Sequence, residues 1–275
     1  MANYFHVFLT FARNSLIRDM TFRANFVIDL ISSTSWMAIN LAFYTLIFRY
    51  TPAIGAGTGW AKYQFFLFLA TGLFINSLVQ ALFMTNADEL SELVRTGTLD
   101  FALLKPIDTQ FLVSLTRIDW SALGNFVLGL GLMGYSMYQL HYLPGLVQIV
   151  LYPLYVLCGI AIYYSLMIAL AATSVWLGRN QTLFDFWFYI TNFSRYPMEI
   201  YRGPWGTPLR QVFTFCLPVL VVVNVPAQVL VRPVNPQLPA DWFLPGFALF
   251  ATVASLLGSR WVFQRALRSY RSASS

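Results

Sequence analysis

The sequence predicts an all-α membrane protein with both termini in the cytoplasm and an even number of crossings. Of its 275 residues, 58% are hydrophobic and 10% are charged, whereas a soluble domain carries roughly 25% charged residues. The apolar residues gather in windows long enough to cross a bilayer of about 30 Å as helices. Arginines cluster before the first window and after the last, which is typical of cytoplasmic flanks. Soluble enzymes and soluble binding proteins are therefore excluded.

The whole chain, residues 1–275, is predicted to be a single membrane domain. Its apolar windows predict five crossings directly. They are predicted over residues 26–48, 64–84, 115–137, 146–177 and 241–263. A sixth crossing must lie between the last two of these windows, because both termini are predicted on the same side. The glycine-rich loop 49–62 and the turn 138–145 are predicted to face outward.

Residues 1–24 are predicted to form an amphipathic helix on the inner membrane surface. Arg13, Arg18 and Arg23 are interspersed with apolar residues, so the stretch lacks the uninterrupted apolar core of a cleavable signal peptide. A surface helix places such arginines near lipid headgroups and its apolar side chains in the acyl boundary. Membrane lipids are thus expected partners.

The formal net charge of +6 does not indicate a nucleic-acid partner, because the basic residues lie beside apolar segments. Cys158 and Cys216 both fall inside such segments, which argues against a disulfide or a thiolate metal site. His6 and His141 are the only histidines and are predicted on opposite sides of the membrane. No metal site and no catalytic residues are therefore predicted.

A polar insert, residues 86–108, separates the second and third windows and carries the clearest functional signal. Its first half is predicted to be a short helix whose early turns hold the carboxylates of Asp88, Glu89 and Glu92, next to the positive end of the helix dipole. Arg95 can pair with Glu92, and Gly97 is suited to ending the helix. The three carboxylates are interpreted as a solvated helix face rather than a metal site, since ligands for a hard cation converge from several directions.

The second half of the polar insert is apolar and ends at a proline. Its apolar residues are Leu99, Phe101, Leu103 and Leu104, and Pro106 follows them after Lys105. A membrane protein with an amphipathic helix, a glycine break and a proline stop in its main cytoplasmic loop is expected to contact another protein there.

A few polar side chains fall inside the predicted spans. They are Asn40, Asn76, Gln80, Asn125 and Gln148, of which the first four are the candidate path residues. Such groups either line a substrate path or hydrogen-bond between helices, and the second use is the commoner one. The third span also carries Gly124, Gly129, Gly131 and Gly134, which predict close helix packing within the chain or between subunits.

Between Pro197 and Pro245 lie nine of the thirteen prolines, so a continuous spanning helix is not expected there. Two topologies fit. In the first, residues 181–201 cross outward and residues 204–231 form a re-entrant hairpin broken at Pro218 and Pro226. In the second, 181–201 stays cytoplasmic and 212–230 crosses. The charge bias favours the second topology, and the two prolines favour the first.

The chain resembles a permease of the type 2 ATP-binding-cassette (ABC) transporter family, the six-span exporter subunits. Three features carry the resemblance. They are Gly97, Leu99, Asp100, Leu104 and Pro106 in the polar insert; Arg179 with Asn180 before the fifth span; and Tyr196-Pro197 followed by residues 205–231, which resemble the family's outer re-entrant region. Asn180 replaces the carboxylate that the family usually carries there. The resemblance favours the first topology.

In that family, the loop after the second span is the coupling helix, which docks into a groove of a separate ATP-hydrolysing subunit. The resemblance implies that Asp88, Glu89, Glu92, Arg95, Gly97, Leu99, Asp100, Leu104, Lys105 and Pro106 form this contact. Neither of the two lysines, Lys62 and Lys105, lies in a phosphate-binding loop, so no cofactor is expected on the chain itself and ATP is bound by the partner.

The expected function is that of the transmembrane subunit of an exporter in a bacterial inner membrane. It pairs with a second copy or a sister permease and with ATPase subunits, and moves an amphipathic or lipid-like substrate outward by alternating access. The alternatives are a membrane-embedded enzyme, which would need a catalytic motif that the sequence lacks, and a passive channel or assembly scaffold, which would work without nucleotide.

Overall fold

The computed structural model describes residues 4–21, 23–55, 57–177, 181–232 and 239–270, and every regular element in these ranges is a helix. The first seven are α1 (Tyr4–Thr21), α2 (Arg23–Tyr50), α3 (Lys62–Val79), α4 (Thr85–Thr96), α5 (Leu99–Leu103), α6 (Thr109–Leu115) and α7 (Leu123–Leu140). The rest are α8 (Leu146–Ala172), α9 (Ser174–Leu177), α10 (Gln181–Asn192), α11 (Gly203–Gln211), α12 (Val219–Val231) and α13 (Pro239–Ser269). The prediction of an all-helical chain is confirmed.

Four helices among the described residues are long and apolar enough to cross a membrane. Two consecutive helical segments that meet at a sharp bend, Gly203–Cys216 and Val219–Val231, raise the number to five if they count as one span. The four are Phe26–Tyr50, Lys62–Thr96, Leu146–Leu177 and Asp241–Ser269. The chain is an integral membrane protein.

Two of the predicted spans differ from the helices that the structure contains. Helix α7 begins at Leu123 rather than at residue 115, because residues 116–122 form a loop between α6 and α7. Helix α10 has 12 residues and would rise about 18 Å, less than the ~30 Å hydrocarbon layer. Two short 3₁₀ turns, Phe193–Arg195 and Met198–Ile200, follow it.

The second long helix does not stop where the polar insert begins. A π-helical turn, Gln80–Met84, joins α3 directly to α4, so Lys62–Thr96 forms one helical unit of 35 residues. At 1.5 Å per residue this unit is about 50 Å long, which exceeds the apolar layer by several turns. The first half of the polar insert is therefore an extension of a membrane helix.

Helix α12 is the most deeply buried element of the fold. Nearly all of its side chains are buried, and it packs against α8 and α3. The contact with α8 is close because a Cβ added at Gly159 would lie 2.8 Å from the Val222 carbonyl oxygen and 3.1 Å from Cδ1 of Ile75. In α7, by contrast, Gly131 and Gly134 face open space, so the glycines that the sequence suggested for close packing are only partly used.

The proline-rich region contains one sharp break. Helix α11 and the π-helical turn after it, Val212–Cys216, meet α12 at an angle of 88°. The break lies at Leu217 and Pro218, as the sequence predicts. The predicted break at Pro226 is wrong, since this proline lies inside the continuous α12.

Contacts between loops define two ends of the helix bundle. At one end, the loop 51–61 meets residues 199–202 and Arg232. At the other end, the polar insert meets the loop 116–122 and the C-terminal part of α13. Arg179 and Asn180, which the sequence analysis singled out, lie outside the described residues.

Candidate functional site

The polar insert consists of α4, a glycine turn and α5. Helix α4 ends at Gly97, whose φ of 72° lies in the left-handed region that favours glycine. The predicted position of the carboxylates at a helix N-terminus is wrong, since the backbone is α-helical at Met84 and Thr85 and the helix is continuous with α3. Asp88 and Glu89 therefore lie in the interior of a long helix, away from free backbone N–H groups.

Helix α5 divides its apolar residues between the protein core and the surface. Leu99 is fully buried, with 0% of its side chain exposed, and Ala102 is also buried. Phe101 and Leu104 project outward, with 70% and 81% exposed. Lys105 and Pro106 after them are exposed as well. The apolar tip of the insert thus consists of Phe101 and Leu104, whereas Leu99, assigned to the contact from the sequence, anchors α5.

A groove of about 280 Å³ lies between α4, α5 and α6. Its walls combine the carboxylate of Glu89 and the ammonium of Lys105 with the ring of Phe101 and the side chains of Leu112 and Thr116.

Charged pairs stiffen the insert on its exposed sides. Arg95 donates from Nε to Glu92 across 2.8 Å, which confirms the pairing predicted from their spacing. Glu89 lies 2.8 Å from a guanidinium nitrogen of Arg117, in the loop before α7. Asp88 is exposed, and desolvation by the surrounding chain raises the pKa of its carboxyl group.

The loop 116–122 joins the insert's helix α4 to helix α1. The Asn86 side chain pairs with both backbone groups of Arg117, donating to the carbonyl across 2.6 Å and accepting from the N–H across 2.8 Å. The backbone N–H of Asp119 donates to the carbonyl of Ala81 in the π-helical turn (2.8 Å). These three hydrogen bonds hold the loop against the helical unit of α3 and α4.

Helix α1 is fixed to the same loop by three hydrogen bonds. The N–H of Ile118 donates to the Ser15 hydroxyl (3.0 Å), and the Trp120 indole donates to the Ala12 carbonyl (3.2 Å). Asp19 accepts from the backbone N–H of Trp120 across 3.2 Å. These contacts place α1 beside the insert at the same end of the bundle.

The end of the insert is bound to the last helix by a charged pair. Arg260 in α13 donates two parallel hydrogen bonds to the carboxylate of Asp108, 3.0 Å and 2.5 Å long. Asp108 also accepts from the N–H of Phe111 (2.9 Å) and so caps α6. The bonds from Arg260 are the main reason that the pKa of Asp108 lies below its usual value. Sequence reasoning did not find this pair, because 152 residues separate its members.

A second polar cluster forms at the opposite end and was also missed. Trp60, with 0% exposed, donates to Glu199 across 3.1 Å, and Gln228 donates to the same carboxylate across 2.9 Å. Arg232 donates to the carbonyl of Thr58 across 3.0 Å. These contacts pack the glycine-rich loop against the protein.

The four candidate path residues do not form a single cluster. Asn40 and Asn76 each donate to the carbonyl four residues earlier in their own helix, across 2.8 Å. Asn76 and Gln80 lie one turn apart on the same helical unit, and Asn125 lies near the start of α7. A helix-to-helix hydrogen bond of the expected kind is made instead by Gln148, which donates to the Val229 carbonyl across 2.9 Å.

Among the described residues, no three His, Cys, Asp or Glu side chains are grouped as metal ligands. The site consists of a projecting apolar tip beside a polar helix, and the loop 116–122 and helix α13 hold it in place. Comparison with known proteins finds one family model that matches, described as ABC-2 family transporter protein, over residues 34–274. No curated protein and no solved structure matches the chain.

Proposed function

The chain belongs to the ABC-2 family of transporter membrane proteins, and we propose that it is the permease subunit of an exporter whose polar insert receives the movement of a separate ATPase. The family model covers most of the chain, and this family acts with separate ATPase subunits. The observation that carries the proposal is the exposed pair Phe101 and Leu104 at the tip of an insert that continues a membrane helix.

The mechanical part of the proposal follows from the continuity of Lys62–Thr96. A partner that pushes on the tip moves α4, and α4 cannot move without α3, because a single helix of 35 residues joins them. The π-helical turn 80–84 is the one place where the backbone pattern changes, and such turns are frequent at functional sites.

The proposed topology has six crossings, with the insert in the cytoplasm and the region 203–231 re-entrant from the outer side. It is supported by contacts at both ends of that region. Glu199 accepts from Trp60, and Arg232 donates to Thr58, so the chain enters and leaves the region beside the same loop. A crossing between those residues would instead separate them by the thickness of the bilayer, about 30 Å.

Sidedness can be measured by cysteine labelling in sealed inside-out and right-side-out vesicles, with Cys216 replaced by serine. Leu104→Cys in the insert is expected to react with a membrane-impermeant maleimide only when the cytoplasmic face is exposed. Leu143→Cys in the turn before α8 is expected to react only from the other face. Reaction of both cysteines from one side would contradict the topology.

The proposed cargo is an amphipathic or lipid-like molecule that moves outward by alternating access, in a bacterial inner membrane. A second copy or a sister permease completes the path, and membrane lipids surround it. Asn76 and Gln80 support a path along α3, since both amides lie on the helix that the insert extends and neither is buried.

Association with the ATPase is tested by the double change Phe101→Ser and Leu104→Ser. The tagged wild-type chain, purified in mild detergent from its own host, is expected to bring down an ABC-type ATPase subunit. The double variant is expected to recover at least about tenfold less, which corresponds to a loss of about 1.4 kcal/mol, because exposed apolar anchors dominate such contacts.

Leu143→Ser provides the matched control. Leu143 is 90% exposed, like Leu104, but lies at the opposite end of the bundle. The control is expected to recover as much ATPase as the wild type. Equal recovery by the double variant and the control would show that the tip of the insert does not bind the ATPase.

A further inference from the structure

Arg260 is the centre of a polar network that connects the polar insert to two membrane helices. Its guanidinium group holds both carboxylate oxygens of Asp108 and, across 2.9 Å, the side-chain oxygen of Gln110. Gln110 donates to the hydroxyl of Tyr164 across 3.0 Å, and Ser114 lies 3.0 Å from the same hydroxyl. The network therefore links the end of the insert, α6, α8 and α13.

Geometry distinguishes this pair from an ordinary surface ion pair. Two parallel bonds between a guanidinium and a carboxylate fix both the distance and the orientation of the groups. About a third or more of each side chain is exposed, so we expect a small contribution to stability. An arrangement with fixed direction and little net stability is suited to positioning.

The end of α13 also lies close to α5. Tyr270, immediately after α13, is near Asp100, and burial first and the charge of that carboxylate second raise the pKa of the Tyr270 phenol. The ion pair of Asp108 with Arg260 is the contact that ties α13 to the insert. The insert has one covalent route into the membrane through α4 and a second, noncovalent route through α13.

We propose that Asp108 and Arg260 are positioning residues that make α13 move together with the polar insert when the ATPase changes state. The proposal rests on the proposed function of the insert as the coupling element. In the absence of this pair, the insert would still move α3 through the continuous helix, but α13 would no longer follow.

The decisive variant is Asp108→Asn. Asparagine caps a helix about as well as aspartate, so α6 keeps its N-terminal cap while the ion pair is lost. Arg260→Lys is the second variant, because lysine keeps the charge but cannot form two parallel bonds. Arg265→Gln is the matched control, since Arg265 lies on the same helix and is exposed.

The movement is measured as a distance between spin labels at Thr96→Cys, at the end of α4, and Arg268→Cys, near the end of α13. Both side chains are exposed, and the background carries Cys158→Ala and Cys216→Ser. The distance is measured in the permease–ATPase complex in two states, first without nucleotide and then trapped with ATP, magnesium and vanadate. Labelled permease is mixed with an excess of unlabelled chain, so that the measured distance lies within one chain.

In the wild type and in Arg265→Gln, the distance is expected to stay the same in the two states. In Asp108→Asn, and to a smaller extent in Arg260→Lys, it is expected to change by more than about 3 Å between states, beyond the 1–2 Å of ordinary helix shifts. Thermal unfolding of the purified complexes identifies a variant that fails to fold. If Asp108→Asn or Arg260→Lys fails to fold, the distances in the remaining one test the positioning role.

Identical distances in the wild type and in both variants, with the ATPase still bound, would overturn the positioning role and leave the proposed function intact. Failure of the wild-type chain to bring down any ATPase would overturn the proposed function, and the positioning role with it.

Discussion

The polar insert and the bent region α11–α12 both interrupt the regular membrane helices, but they are stabilised in opposite ways. The tip of the insert is exposed, and side-chain pairs such as Asp108–Arg260 hold it at its base. Helix α12 is almost wholly buried against α8 and α3. Changes in the bent region should therefore affect folding, whereas changes at the tip should affect partner binding.

The difference also shows where movement can take place. Interiors packed without free space transmit strain rather than absorb it, so α12 and the helices around it are expected to behave as one body. The insert makes its contacts through a few directional hydrogen bonds, which can be broken and remade. Three measurements of thermal stability, given in order of decreasing predicted change, can contradict or refine this contrast.

Gly159→Ala should have the largest effect on stability. The added methyl group would lie 2.8 Å from the Val222 carbonyl oxygen and 3.1 Å from Cδ1 of Ile75. Overpacking typically costs about 1–3 kcal/mol and occasionally more, and a clash with the backbone of a buried helix is expected to exceed that range, well beyond the gain of about 1 kcal/mol in helix propensity. Thermal unfolding in detergent should show a clear fall in the midpoint. Gly134→Ala, which faces open space, should be neutral or stabilising; equal midpoints for the two variants would refute the close packing of α8 on α12.

Asn224→Leu should have the next largest effect. Asn224 is fully buried and accepts a hydrogen bond of 2.8 Å from the backbone N–H of Met198. Leucine has a similar size but would leave that buried N–H without its partner, at a cost of roughly 1–3 kcal/mol. The control is Thr252→Val, which removes only a bond to the carbonyl of Ala248 within α13. A midpoint for Asn224→Leu that matches the control would contradict this account.

Of the three changes, the double change Phe101→Ser and Leu104→Ser should lower thermal stability least. It should also reduce the recovery of the ATPase more than either of the other two changes does. Both side chains are already exposed, and surface substitutions usually change the free energy of unfolding by less than about 0.5 kcal/mol. The change in stability is measured as the shift of the unfolding midpoint in the same thermal unfolding experiment. A large fall in the midpoint would show that the tip packs within the protein, and the contrast between the two regions would disappear.

Local signals in the sequence were sufficient for much of the insert. Gly97 ends α4 because only a residue without a Cβ adopts φ of 72° without strain, and the spacing of Glu92 and Arg95 brings their charges together. The spacing could not show that α4 continues α3, because a polar stretch after an apolar one suggests a new helix. Nor could it separate Leu99 from Leu104, since exposure depends on which neighbours cover each face.

The bent region was predicted in outline and missed in detail. Proline at position 218 breaks the helix because it lacks a backbone N–H and restricts the residue before it, and the break is found there. Pro226 has the same chemistry but is accommodated in a continuous helix, where neighbouring helices surround it. The contacts of Trp60 and Glu199 join residues 139 positions apart, beyond the reach of any local pattern.

Hydrophobic length and helix-ending residues act over a few turns, and they were enough to identify a helical membrane protein and to locate its polar insert. Only the packed fold shows which side chains are buried, which project, and which distant charges meet, as in the pairing of Asp108 with Arg260. Propensity and hydropathy are properties of neighbouring residues, whereas burial and ion pairing depend on segments that only packing brings together.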